Sequence, residues 1–179
     1  VVLLLSIPVQ LAVGLTILIF NGKPVLFSQE RLGLNEDPFI LYKFRTMTRD
    51  AEAGRGPTWA VENDSRITKL GHFLRKTRLD ELPQLWNVIN GSMSLIGPRP
   101  ERAHFVAQLK KEIPFYSLRF SVRPGLTGWA QVNYGYGSTT EDAIRKLEYE
   151  LYHIQEMSVF LNTLIILKTA QTVLFKKGT

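Results

Sequence analysis

Asp80 and Glu81 stand side by side in the run RKTRLDELPQLWNVINGSMSLIGPRPE, with Arg75 and Arg78 just before them and Arg99 eighteen residues after Glu81. Adjacent residues on a helix point about 100° apart, so the two carboxylates do not easily share one proton but can take different jobs on one substrate. One can attack phosphorus as a nucleophile while the other holds a divalent cation. A helix start here would keep both ionised and favour a phosphate through its macrodipole. Arginine forks match phosphate oxygens in pairs and stay charged at any working pH. Arg99 lies between Pro98 and Pro100, and rigid flanks suit a clamp on a charged transition state. In the stretch FILYKFRT, a two-residue period places Lys43 and Arg45 on one face, where they could add positive charge, and Tyr42 and Phe44 on the other. The competing reading is an Asp-Glu pair that only decorates a helix N-terminus among surface arginines.

Other chemistries find no residues. The chain has no cysteine, which excludes a thiolate metal site and a thiol nucleophile. It has no P-loop, no GxGxxG, no HExxH and no GxSxG elbow. His72, His104 and His153 are scattered without metal-ligand spacing. Lys+Arg number 22 against 16 Asp+Glu, a net charge of +6. That excess suits nucleic acid, an anionic membrane surface or a phosphorylated substrate. A mean hydropathy near zero, with 45% apolar residues, is greasy for a nucleic-acid module. The basic residues also accompany carboxylates and prolines and form no reader motif. No nucleic-acid partner is expected.

The elements that must position these residues follow from pattern. Val1 to Phe20 carries no charge and is long enough, at about 30 Å, to reach across a hydrocarbon core. Pro8 predicts a kink or break, and Ser6 can satisfy a freed carbonyl. Such a helix either spans the bilayer or turns and leaves on the side it entered. The apolar start without Met predicts further chain upstream. Pro24–Gln29 and Phe39–Thr46 read as a β-hairpin with a long loop. Thr48–Asn63 reads as a lid candidate, and Asp64 or Ser65 as the cap of a helix to Lys76. A short helix is predicted over Asp80–Ile89, with Gly91 at its C-terminal cap. MSLIGPRPE reads as irregular, Arg102–Lys111 as a helix, and Trp129–Asn133 as a short β stretch in a glycine-rich loop. The tail is helical in two parts around Ser158. Its second part suits a helix in the membrane interface, or one packed on the domain's own core. The fold class is therefore α+β: a small mixed domain with a hairpin and several short helices, divided into a membrane helix at 1–22 and a catalytic domain at 23–179 that includes an interfacial helix at 158–175. From the residues alone, the chain reads as a phosphate-handling site at a membrane surface. A non-enzymatic adaptor binding anionic lipid is the alternative.

The runs KFRTM (Lys43–Met47), TRLDELPQLWNVINGSMSLIGPRPE (Thr77–Glu101) and RPGLTGWAQVNY (Arg123–Tyr134) resemble the bacterial sugar transferase family, the monotopic phosphoglycosyl transferases. The resemblance covers essentially the whole chain. It implies transfer of a sugar-1-phosphate from a UDP-sugar to undecaprenyl phosphate, with release of UMP, as a first step of glycan assembly. It implies that Asp80 is the nucleophile, forming a sugar-phosphoryl-aspartate, and that Glu81 binds Mg²⁺. Arg75 and Arg99 would hold phosphate groups, with Lys43 and Arg45 lining the same site. It further implies a re-entrant first helix at the cytoplasmic face of the bacterial inner membrane. The apolar surfaces could also serve a homodimer.

Overall fold

In the computed structural model, which describes residues 2–49, 51, 56, 58, 64–135, 137 and 139–174, helix α1 (Val2–Asn21) passes through Pro8 without interruption. Ser6 Oγ donates to the Leu3 carbonyl at 2.7 Å, inside the turn that the proline disturbs. Only a narrow stripe of α1 packs on the protein: Val13 and Ile17 are buried against Phe44 and Leu74. Most of the rest, including Leu4, Leu11, Ile19 and Phe20, is exposed. A helix that is apolar on every side and covered on one needs a second apolar medium, and α1 is long and apolar enough to cross a membrane.

The predicted hairpin is present, with the first strand shifted toward the turn, the second ending two residues earlier, and a tighter connection. Strand β1 (Leu26–Leu32) pairs antiparallel with β2 (Pro38–Phe44), in register from Leu26↔Phe44 to Leu32↔Pro38. The link is one 3-10 turn, Leu34–Glu36, in which Asn35 and Glu36 take positive φ. The lid candidate at 48–63 lies mostly outside the described residues. Helix α2 (Lys69–Lys76) starts later than expected. Its cap is Thr68, whose side chain accepts from Gly71 N at 2.9 Å. Asp64 instead holds the Arg66 backbone and guanidinium, in a turn closed by the Met47↔Ile67 bridge.

Gly71 brings α2 onto the chain leaving β2. A Cβ there would overlap the Thr46 carbonyl, and backbone cannot swing aside as a side chain can. Gly71→Ala is therefore expected to destabilise by about 2–3 kcal/mol, the upper part of the range for overpacking a tight contact. Thermal unfolding of the variant beside the native protein measures it.

The predicted Asp80 helix divides in two: a 3-10 turn at Leu79–Glu81, then α3 (Gln84–Ile89) with Pro83 at its N-cap. MSLIGPRPE is not wholly irregular. Its Ser94–Ile96 forms β3, parallel to β4 (Gly125–Thr127). The GPRP run thus follows β3 directly and the PGLTG run contains β4, and glycine at 97 permits their close approach, since a side chain there would strike the Arg123 carbonyl and Gly125 N. Three-residue strands carry no readable period, which is why the pairing escapes the sequence. The expected β stretch at Trp129–Asn133 is helix α5. Local β preference yields there to packing: Trp129 stacks on Tyr152 and lies under the Lys168 ammonium.

Helix α4 (Ala103–Glu112) and helix α6 (Thr140–Gln155) meet a 3-10 segment, Tyr116–Ser121. Val106, Leu109, Ile113, Tyr116, Phe120 and Leu147 form their common core. The tail divides as predicted, with Ser158 Oγ accepting from Leu161 N before α7 (Val159–Leu174). Helix α7 packs one face on the domain's own core and leaves other apolar residues outside. Leu161 and Ile165 are buried, while Val159, Phe160 and Leu167 face outward. The architecture is α+β, with the hairpin and the β3–β4 pair set among short helices.

Candidate active site

Between the two cores, β2, the 79–81 turn and the GPRP segment bring their charged residues to one point. Glu81 Oε1 receives Arg99 Nη2 at 2.6 Å and Lys43 Nζ at 3.1 Å, with Arg78 Nη1 at 3.8 Å. Burial alone would raise the Glu81 carboxyl. Arg99, Lys43 and Arg78 outweigh it and hold the group well below the usual carboxylate range. Burial lowers the Lys43 ammonium against the pull of Glu81.

Asp80 is the opposite case. It is 6% exposed, and its Oδ1 is buried with no hydrogen-bond partner. Burial and the neighbouring Glu81 charge push its carboxyl up, while Lys43, Arg75 and Arg99 pull it down less strongly. The pair sits in a 3-10 turn ahead of a six-residue helix rather than in the first turn of one longer helix, and the side-chain cations outweigh burial for Glu81 but not for Asp80. Arg78, at φ 57° in the left-handed region, sets the turn, a backbone cost of order 1 kcal/mol that the surroundings must offset.

Arg75 donates from Nε to Thr46 Oγ1 at 2.9 Å and acts on Asp80 through its charge. Arg45 is not brought to the cluster. Its Nη2 reaches the Asn21 and Gly22 carbonyls, both at 2.6 Å. Those are orphan acceptors at the end of α1, and a guanidinium there also complements the helix dipole. The two-residue period fails at this point because β2 ends at Phe44.

Three buried polar residues around the cluster were not assigned to it from the sequence. Asn87, 1% exposed, donates to the Ile40 carbonyl at 2.7 Å and accepts from Tyr42 N at 3.2 Å. It substitutes for a neighbouring strand and ties β2, with Lys43, to the helix after Glu81. A buried asparagine in a short helix is the signal that could have found it. Arg119 and Glu150 form a buried ion pair behind Arg99.

Among the described residues no three His, Asp or Glu side chains gather as a metal cage. Magnesium, however, is usually held by one or two carboxylates together with substrate phosphates. The unpartnered Asp80 Oδ1 beside Glu81 fits a cation that arrives with a diphosphate, and fits a resident ion less well.

The bacterial sugar transferase family model matches residues 1–176. The chain belongs to that family. It is 46% identical over 93% of its length to a UDP-N-acetylgalactosamine-undecaprenyl-phosphate N-acetylgalactosaminephosphotransferase of Aeromonas hydrophila, covering 39% of that protein. It is 42% identical over 95% of its length to a UDP-glucose:undecaprenyl-phosphate glucose-1-phosphate transferase of Xanthomonas campestris pv. campestris. An Escherichia coli K12 transferase of the same description is 41% identical over 94% of the chain. The chain spans 36% of each of these two proteins.

Proposed function

We propose that this chain transfers a sugar-1-phosphate from a UDP-sugar to undecaprenyl phosphate through a covalent intermediate on Asp80. The observation that carries the reading is the Asp80 carboxylate: buried, with one oxygen unpartnered, beside a Glu81 that Arg99 and Lys43 hold ionised. A carboxylate oxygen without a hydrogen-bond donor is poorly stabilised and correspondingly basic, as a nucleophile should be. The names of the relatives support the substrate classes.

In the first step an Asp80 oxygen bonds to the β-phosphorus, and the bond from that phosphorus to the bridging oxygen breaks. UMP leaves with the electron pair. In the second step a phosphate oxygen of the polyprenyl phosphate attacks the same phosphorus and displaces Asp80, giving a polyprenyl-diphospho-sugar. Arg99, Lys43 and Arg75 face charge that shifts among phosphate oxygens, where fixed positive groups act most strongly. Glu81 keeps Arg99 and Lys43 in place. A Mg²⁺ held by Glu81 and the diphosphate would neutralise the leaving phosphate. The exposed faces of α1 and α7 support membrane association. The re-entrant course of α1 and the cytoplasmic face of the inner membrane, where the acceptor phosphate would be delivered, rest on the family resemblance.

The test is product identity. The solubilised protein, incubated with Mg²⁺, undecaprenyl phosphate and either UDP-N-acetylgalactosamine or UDP-glucose, should release UMP. Release of UDP would instead mean transfer of the sugar alone. Lipid binding with no nucleotide released would favour a membrane-surface adaptor.

A further inference from the structure

Arg99 reaches Glu81 with its guanidinium, but its own backbone has little to hold it. Pro98 and Pro100 flank it and offer no N–H. Outside donors instead take four successive carbonyls. Gly125 N donates to Pro98 O at 2.8 Å, Arg119 Nη2 to Arg99 O at 2.8 Å, Arg31 Nη1 to Pro100 O at 3.2 Å, and Leu32 N to Glu101 O at 2.9 Å. The donor to Arg99 itself is the one supplied by a buried charge.

We propose that Arg119, gripped by Glu150, is a positioning residue that sets where the Arg99 side chain stands. The proposal deepens the function argued above and rests on it for the meaning of Arg99. Arg119 is 5% exposed and Glu150 6%. Their contact is bidentate, Nε to Oε2 at 2.8 Å and Nη2 to Oε1 at 2.7 Å. Nη1 donates to Tyr116 Oη at 2.9 Å, and the guanidinium lies over the Tyr116 and Phe120 rings. Burying such a pair is not a cheap route to stability, since both ions lose water. Its geometry leaves one Nη2 hydrogen aimed at the Arg99 carbonyl. The 116–121 segment and α6, neither of which supplies a residue to the Asp80–Glu81 cluster, thereby bear on that cluster through one hydrogen bond.

Lysine keeps the charge of Arg119 but cannot span acceptors in three directions. Arg119→Lys is expected to lower kcat by about ten- to a hundredfold, the cost of a small misplacement of a group facing the reacting centre. KM for the UDP-sugar should stay nearly unchanged. In an Arg99→Ala background the same substitution should cost less than about twofold, because nothing remains to be positioned. Equal losses in both backgrounds, or a rise in KM with kcat intact, would overturn the proposal. Tyr116→Phe removes one anchor of Arg119 without leaving a charge unpaired, and should show a smaller loss with the same dependence on Arg99 if Arg119→Lys fails to fold. A second measurement needs no turnover. In ¹⁵N-arginine-labelled protein, the Nε–H signal that disappears in Arg99→Lys belongs to Arg99. It should move in Arg119→Lys while the signals of distant arginines hold. An unmoved Arg99 signal refutes the positioning role even in active enzyme. A protein that releases no UMP refutes the proposed reaction and leaves the positioning role to be decided by the spectrum.

Discussion

Asp80→Asn is expected to lose turnover by about three orders of magnitude or more, the scale on which removal of a covalent nucleophile acts. It should also lose any sugar-phosphate adduct. The native protein, incubated with UDP-sugar and no lipid acceptor, should gain the mass of one sugar-phosphate on Asp80 and release one UMP. The variant should do neither. The structure adds an unusual corollary for stability. The Asp80 carboxyl is pushed up by burial and by Glu81. An acid whose pKa is higher in the folded state costs stability where it is ionised. That cost is absent below the unfolded pKa and grows as pH rises through the folded one. The amide that replaces the carboxyl in the variant carries no such charge. The variant should therefore unfold at higher temperature than the native protein at neutral pH, with the gap closing as pH falls through the raised folded pKa and gone below the unfolded value of about 4. A dead enzyme more stable than its parent marks a residue kept for chemistry. Near-normal UMP release by the variant would sink the covalent route.

Arg99→Lys is the second large effect. Lysine can keep an ion pair with Glu81, so loss of charge is not the issue. It cannot present the planar fork that meets Glu81 while leaving N–H groups for phosphate. Removing one preorganised donor at a developing anion costs about 10²–10³ in kcat. Arg99→Lys is expected in that range, with the fold retained. Steady-state UMP release across donor concentrations measures it, and thermal unfolding guards against a trivial cause. The guanidinium now lies 2.6 Å from Glu81 Oε1, and a lysine there would meet Glu81 as a point charge without the second N–H edge that the fork turns toward phosphate. If Arg99→Lys worked as well as the native residue, Arg99 would be a counter-ion for Glu81 and no more.

Several features were readable from residue order because their causes are local. An uncharged run of twenty residues is a membrane-length helix whatever surrounds it. The two runs around Ser158 are helical by their spacing, and the serine caps the second. The adjacency of Asp80 and Glu81 is covalent, and the arginines within a few residues of them were bound to stand close by. What the sequence by itself determined, then, was the kind of chemistry available and the segments that bracket it.

Tertiary structure decided which charges serve that chemistry. Lys43 and Arg45 are alike in pattern, yet one meets Glu81 and the other ends a helix, because strand β2 stops between them. Adjacent carboxylates of like type are driven apart in their proton affinity, since three cations converge on Glu81 and leave an Asp80 oxygen bare. GPRP and PGLTG become partners through backbone contacts that only glycine admits. Arg119 and Glu150 matter through a carbonyl of Arg99, an acceptor that every residue carries and no pattern distinguishes. Contacts between residues far apart in the chain depend on how the elements pack, and packing is settled by the whole set of buried surfaces at once.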